Sequence, residues 1–510
     1  MKAELLRVRP PYFVLSLLAG LLQAVSIAAP WDGQPIWWLQ LVALGLLAWQ
    51  TEHSLAWRRA ASQGWWFACA WLTGTFWWLF IAMHTYGGLP AVLAALAVFA
   101  LAAALALFYA AACGAYVALA HGNQVWRAII FAAFWLLAEM VRGRWLTGFG
   151  WGAGGYAHVD GPLAGYAPWV GVYGMGALAA WLGMIFAQGW FGSPWPRVVA
   201  LTVLALPSAV QLGEPVFSTS AGQLRVALLQ GNIPQDEKFQ PGTGVPMALR
   251  WYSAQLAANR APLVVAPETA IPVLPQQLPA MQWESLLLRF SSGDQAALVG
   301  VPLGSFKTGY TNSVVGLKPG QTEVWRYDKH HLVPFGEFIP PLFKWFTAMM
   351  NIPLGDFNRG DIGQPSFEWQ GQRLAPNICY EDLFGEELGA RFREEALAPT
   401  IFVNSSNIAW FGKTVAIDQH LNISRMRALE FERPMIRATN TGATAIIDHH
   451  GRVIAALPRH TQGVLVGDVE GRNGLTPYAW WVSRLGLWPL WLLGLLAGGL
   501  AWRRRRAERA

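Results

Sequence analysis

Charge is scarce in this chain of 510 residues: 13% are Asp, Glu, Lys or Arg, against 54% hydrophobic. Soluble globular chains carry about 25% charged residues. A surface facing only water is therefore excluded for much of the molecule. Cysteine is scarcer still. There are three, and Cys69 and Cys113 lie inside apolar runs, where a thiol behaves as a small hydrophobe. A disulfide framework is excluded on that count. No internal repeat or low-complexity linker breaks the sequence. The net charge of +7 does not make a nucleic-acid footprint, because the arginines sit beside apolar runs, most densely at Arg503, Arg504, Arg505 and Arg506. That is the pattern of charge anchoring a membrane segment on its cytoplasmic side.

What the chain has in abundance is apolar length. Segments near 11–29, 35–50, 64–83, 90–120, 126–146, 163–190, 197–213 and 479–502 approach or exceed the roughly 20 residues needed to cross a bilayer. The second is short and the fourth long enough to tilt. The 29 Trp fit residues of the membrane–water interface. Orientation follows the short-loop basic residues. Lys2, Arg7 and Arg9, then Arg58 and Arg59, Arg127, Arg197 and the terminal arginine run all fall on one side if each segment crosses once, and only Arg142 and Arg144 break the pattern. Both termini are then cytoplasmic. Residues 1–29 also fit a cleaved signal peptide, which leaves the later sidedness unchanged. The chain divides into 1–215 with seven transmembrane helices, 216–475 outside the cytoplasm, and 476–510 with the eighth helix and a basic cytoplasmic tail.

From about 220 the character changes. The spacing predicts strands at Leu224–Leu229, Leu263–Ala266, Ala297–Val301, Asn312–Leu317, Leu374–Ile378, Thr400–Val403, Ala443–Asp448 and Val464–Val469, with helices at 246–260 and 414–432. The last helix is expected to stop before Pro434. This fits an α/β domain of about 250 residues, two-layered or sandwiched.

Three strings in that domain are strand-like runs ending in an unusual polar residue. They are Leu263-Val264-Val265-Ala266-Pro267-Glu268-Thr269, Tyr327-Asp328-Lys329-His330-His331-Leu332-Val333-Pro334-Phe335-Gly336-Glu337, and Asn377-Ile378-Cys379-Tyr380-Glu381. Taken singly, a Glu after a strand reads as a cap and a Lys as surface, while a Cys reads as core or, unpaired in a domain outside the cytoplasm, as a working thiol. Together they compose acyl chemistry. A thiolate is the nucleophile, a carboxylate takes its proton, and an ammonium faces the anion. The Tyr380 backbone N–H is a natural second oxyanion donor.

These strings resemble the nitrilase superfamily of carbon–nitrogen hydrolases over about 220–470. That resemblance implies an αββα sandwich and a Glu-Lys-Cys triad. With eight spans in a seven-plus-one layout, the whole chain resembles the apolipoprotein N-acyltransferase family of the bacterial inner membrane. The implied reaction moves an acyl chain from a glycerophospholipid, typically phosphatidylethanolamine, to the N-terminal amine of an S-diacylglyceryl-cysteine lipoprotein. The resemblance makes Glu268 the general base, Lys329 the oxyanion stabiliser and Cys379 the nucleophile. It makes Glu337 a supporting glutamate, and Tyr380 and Glu381 flanking residues that line the site. Where the family often has Trp after a Lys, this chain has Phe239 after Lys238, which keeps an aromatic ring but loses its N–H donor. No cofactor and no metal are implied.

Weaker expectations come from the residues themselves. The apolar run 340–350 reads as a lid or interfacial arm, or as a core helix. Trp410 and Phe411 read as part of the same greasy rim or as core. Glu139, Arg142 and Arg144, at membrane level, read as headgroup ligands or as a local i,i+3 ion pair. Arg437, Asn440 and Gly442 are expected at a strand end beside the cleft. Adjacent histidines, His330-His331 and His449-His450, point to opposite faces on a strand and make poor chelates. Asn404-Ser405-Ser406 and Asn422-Ile423-Ser424 match a glycosylation pattern, of little meaning in a bacterial host. A membrane-tethered amidase has the same triad, but a water-soluble substrate needs only one anchor. A transporter or sensor is the third reading, and the spans lack the paired broken helices that transporter sites favour, although Pro162, Pro168 and Pro207 leave some room.

Overall fold

A computed structural model describes residues 12–189, 195–211, 217–305, 307–321, 323–339 and 357–510. Lys2, Arg7, Arg9 and the 340–350 arm lie outside the described residues. The first part is a helical bundle: α1 (Tyr12–Ile27), α2 (Trp37–Glu52), α3 (Trp57–Phe76), α4 (Ala91–Leu119), α5 (Gln124–Arg144), α6 (Ala167–Gly189) and α7 (Trp195–Gln211). Helix α4 is an unbroken Ala/Leu-rich run of 29 residues behind Pro90. At 1.5 Å per residue it spans about 43 Å, more than the roughly 30 Å hydrocarbon core. Its Val92, Leu93, Leu96, Phe99 and Leu107 point outward and exposed, an arrangement suited to lipid rather than water.

Each of the eight apolar segments contains helix, but not all are single straight rods. Among the described residues, three helices are long and apolar enough to cross a membrane, or five if each bent pair is one span. After α3 the chain bends by 59° into Leu79–Tyr86. The expected single helix over 479–502 is two: α11 (Pro477–Leu485) and α12 (Trp488–Ala507) meet at 85°. The cause is Gly486, at φ 56, ψ −143, with Pro489 two positions inside the next helix. The arginine run forms the end of α12 rather than following it.

The remainder is a sandwich of two six-stranded sheets. Its elements are β1 (Ser218–Gln230), α8 (Gly244–Ala258), β2 (Leu263–Val265), α9 (Gln282–Ser291), β3 (Ala296–Ser305), β4 (Gly309–Leu317), β5 (Trp325–Asp328), β6 (Phe367–Trp369), β7 (Gln372–Ile378), β8 (Ile401–Ser406), α10 (Ala416–Phe431), β9 (Met435–Thr439), β10 (Ala445–Ile447), β11 (Val453–Ala456) and β12 (Gly463–Gly474). One sheet runs β12-β1-β2-β3-β4-β5, the other β11-β10-β9-β8-β7-β6. Strand alternation builds the layers. Val226, Leu228, Val265 and Leu298 meet Leu374, Ile378, Val403 and Ile436 between the sheets. Ala227, Leu229, Val264 and Val299 face the other way, onto Tyr252, Leu256 and Phe290 of α8 and α9. The outer face of the second sheet, through Ala375, Phe402 and Met435, joins α10 and the bundle in one continuous core. Strands β6, β9 and β11 and helix α9 were not expected from spacing, and β5 was marked only by the strand-like start of the Tyr327-Asp328-Lys329 string.

Candidate active site

Three strand ends carry the residues expected to do the chemistry. Glu268 follows β2 by three residues, Lys329 follows β5 directly, and Cys379 follows β7 directly. Lys329 is 1% exposed. Its Nζ lies 3.4 Å from Glu268 Oε1 and 2.9 Å from Glu337. Asn312 Nδ2 donates to both carboxylates, at 2.7 Å each. The Asn407 N–H holds Glu268 Oε2 at 2.8 Å, and the Val333 N–H holds Glu337 Oε2 at 2.8 Å. Burial opposes the charge on Lys329, but Glu337 and Glu268 outweigh it and keep the ammonium well above the ordinary lysine range.

Cys379 occupies a left-handed backbone conformation, φ 50, at the head of a short 3₁₀ turn, Cys379–Leu383. The residue as a whole is half-buried. Burial first, then the Glu268 carboxylate, push it up to about 12, against the opposing pull of Lys329. The resting group is therefore a thiol, and a base must take its proton as it reacts. A direct consequence is measurable. Below its pKa the thiolate fraction grows tenfold per pH unit, so alkylation of Cys379 by iodoacetamide should climb from pH 7 to pH 10 without levelling. A plateau below pH 8 would contradict this placement of the thiol.

Glu381 accepts from the N–H groups of His330, His331 and Ile378 and from the Tyr327 hydroxyl, at 2.7, 3.1, 2.6 and 2.8 Å. It ties the lysine loop to the cysteine strand. The Tyr380 hydroxyl donates to Gly148 O of the bundle at 3.0 Å. Phe239 is half-buried, its ring 5.7 Å from Lys238 Nζ. Trp410 is half-buried against Tyr86, ring centroids 6.0 Å apart, while Phe411 packs on Trp78 at 4.2 Å. Both lie where the sandwich meets the bundle.

The expectations for Glu139, Arg142 and Arg437 need correcting. Glu139 is fully buried and Arg142 is 1% exposed. Arg142 Nη1 donates to Phe149 O and Trp151 O, its Nε to the Tyr109 hydroxyl, and Glu139 accepts from the Gly154 N–H. They pin the 145–154 loop; among the described residues neither a headgroup-facing position nor a Glu139–Arg142 ion pair appears. Arg144, by contrast, is exposed and lies 3.8 Å from Glu386. Arg437 sits in the middle of β9, fully buried, not at a strand end. His330 and His331 make separate contacts, with Gly360 O and with Glu387 and Thr147 O.

Lys238, Asn312 and Asn407 were missed. Lys238 Nζ, 1% exposed, donates to Glu268 O at 3.0 Å, and burial lowers it to about 8. Asn407 had a readable signal, because it directly follows β8. It obeys the same strand-end rule as the triad.

Residues 19–185 match the apolipoprotein N-acyltransferase N-terminal domain, and residues 225–478 the carbon–nitrogen hydrolase domain. A Verminephrobacter eiseniae protein named apolipoprotein N-acyltransferase is 58% identical, over 97% of this chain and 97% of its own. A protein of the same name from Ralstonia nicotianae is 46% identical over 97% of this chain and 94% of its own. Among solved structures, a carbon–nitrogen hydrolase from Helicobacter pylori G27 is similar at 16% identity and a TM-score of 0.35, covering 53% of this chain and 94% of that one. The chain belongs to the apolipoprotein N-acyltransferase family and is an acyltransferase whose β-sandwich has the carbon–nitrogen hydrolase fold.

Proposed function

We propose that the chain moves a fatty acyl group from a membrane glycerophospholipid, phosphatidylethanolamine foremost, to the N-terminal amine of S-diacylglyceryl-cysteine apolipoproteins. This is the last step of bacterial lipoprotein maturation. In this reading the apolar helices make eight crossings of the inner membrane. Residues 1–215 hold seven crossings, 216–475 form the periplasmic catalytic domain, and 476–510 hold the eighth and a cytoplasmic tail. Both termini are cytoplasmic. The observation that carries the proposal is one buried cluster, Glu268, Lys329, Glu337 and Asn312, beside a cysteine whose neighbour Tyr380 bonds directly to the bundle.

The reaction is two transfers. The Cys379 sulfur attacks the ester carbonyl while Glu268 takes its proton. The oxyanion faces Lys329 Nζ and the Tyr380 N–H. Collapse breaks the ester C–O bond, and the lysophospholipid leaves with the proton from Glu268. A thioester remains on Cys379. The lipoprotein amine then attacks it, Glu268 accepts an amine proton, and the sulfur departs to be reprotonated. Glu337 and Asn312 hold Glu268 and Lys329 in register.

The test uses the purified protein in mixed micelles with phosphatidylethanolamine, with and without a diacylglyceryl peptide. Sustained lysolipid release that depends on the peptide amine supports transfer. Equal sustained release without the peptide would mean hydrolysis and overturn it.

A further inference from the structure

The peptide unit between Cys379 and Tyr380 is held from behind by two buried side chains that the mechanism above does not use. Asn404 Nδ2 lies 3.2 Å from Cys379 O, and His420 Nε2 lies 3.1 Å from the same oxygen. Both residues are fully buried. The tautomer of His420 is fixed by its other side. Arg437 Nη2, which can only donate, lies 2.9 Å from His420 Nδ1. Nδ1 is therefore the acceptor, and Nε2 carries the hydrogen. That N–H is shared between Cys379 O and Asp382 Oδ1, the latter also at 3.1 Å. Asp382 in turn is bound by Ser424 and lies 3.4 Å from Arg437 Nη1. Trp151, from the bundle, stacks on the His420 ring at 5.6 Å and 15°.

A peptide unit is planar, and in its trans form the C=O and N–H point in opposite directions. Fixing the Cys379 carbonyl thus fixes where the Tyr380 N–H aims. The need is acute here, because the unit follows a non-glycine residue at φ 50, a conformation an L residue seldom holds unaided. Hydrogen bonds onto the carbonyl also polarise the unit and strengthen its N–H as a donor.

We propose that His420, seconded by Asn404, is a positioning residue for the oxyanion donor: by gripping the Cys379 carbonyl it aims the Tyr380 N–H at the acyl oxyanion. Asp382, Ser424 and Arg437 hold His420 in the required tautomer, and Trp151 seats its ring against the bundle. The proposal rests on the reading of Cys379 as nucleophile and the Tyr380 N–H as oxyanion donor.

The test separates two reactions of one sulfur in the full-length protein in micelles. Acylation by phosphatidylethanolamine alone, followed as mass gain, passes through an oxyanion. Alkylation by iodoacetamide does not. His420→Ala is expected to slow acylation by about 10²-fold, the scale of one lost oxyanion donor, and to leave alkylation within about twofold. His420→Gln, whose amide N–H reaches the same carbonyl, should restore most of the acylation rate. His420→Phe keeps the stacking on Trp151 without the N–H and gives the same split where the alanine variant does not fold. A parallel fall in both reactions, unchanged acylation in His420→Ala, or a glutamine variant as slow as alanine would overturn the proposal. A wild-type protein that alkylates but never acylates would instead overturn the thioester reading beneath it.

Discussion

Replacing Cys379 with alanine is expected to lower acyl transfer by at least about 10⁴-fold, the scale seen when a nucleophile is removed from a covalent catalytic unit, while the protein stays folded and inserted. The turn around Cys379 does not depend on the thiol. Its carbonyl is held by Asn404 and His420, and its flanks by the bonds of Glu381 to Ile378 and to the lysine loop. Alanine meets the same backbone strain at φ 50 as cysteine does. Transfer assays alongside a thermal midpoint and membrane fractionation check both halves. Loss of the protein from the membrane would mark the thiol as structural. Cys379→Ser should also be severely impaired, since a hydroxyl is a far weaker acid and nucleophile than a thiol; near wild-type transfer would contradict the covalent step.

Lys329→Met is expected to be damaging in two separable ways. Acylation should fall by about 10³-fold, because the ammonium proposed to face the oxyanion is gone. Stability should fall by about 3–5 kcal/mol, because one partner of a buried ion cluster is removed and its counter-charges stay behind. Glu268 and Glu337 would then share Asn312 with no ammonium between them, leaving Lys238 Nζ on the Glu268 carbonyl as the nearby cation. Adding Glu337→Gln removes one of the stranded charges. The double variant should regain much of the thermal midpoint and none of the activity. Recovery of activity along with stability would mean that Lys329 serves only to balance charge.

The strand-end pattern made the triad legible. Leu263–Val265, Trp325–Asp328 and Gln372–Ile378 each deliver their chemical residue at or just beyond the C-terminal end, where a rigid sheet aims a side chain into a cleft. The sheets themselves were mostly legible through buried apolar runs such as Leu224–Leu229. What escaped did so for physical reasons. Strand β9 has a fully buried arginine at its centre, and no rule of apolar alternation anticipates a charge there. Its compensation comes from His420 and Ser424 on the preceding helix and from Asp382 in the turn after β7. Strand β6 has only three residues, too few to show a period. The break at Gly486 was hidden because both arms are apolar and one window covers them. The roles of Arg142 and Glu139 were misjudged because sequence gives depth along a helix but not which face is buried; their partners are carbonyl and N–H groups of the next loop. Asn312 carries no pattern, and Lys238 is marked only as the residue before Phe239. Each is an ordinary polar residue until the fold sets it against a carboxylate or the carbonyl beside one.

The contacts between sandwich and bundle bear on how a triad held in the sandwich would meet a lipid substrate. Trp78 and Trp151 both donate to Gln419 Oε1, the Val172 N–H donates to Glu430, and Arg425 pairs with Asp160. All three acceptors or donors on the sandwich side belong to α10, the helix that also carries His420. The helix that carries His420, whose ring bonds the Cys379 carbonyl, is thus also tied to the bundle.

On the proposed mechanism the acyl group rests on sulfur before any amine arrives. Intact-mass measurement of the purified protein mixed with phosphatidylethanolamine alone, followed by peptide mapping, tests this directly. The account requires a gain of one fatty acyl group, located on Cys379 and released by hydroxylamine. An unmodified protein that nonetheless completes transfer once a diacylglyceryl peptide is added would contradict it.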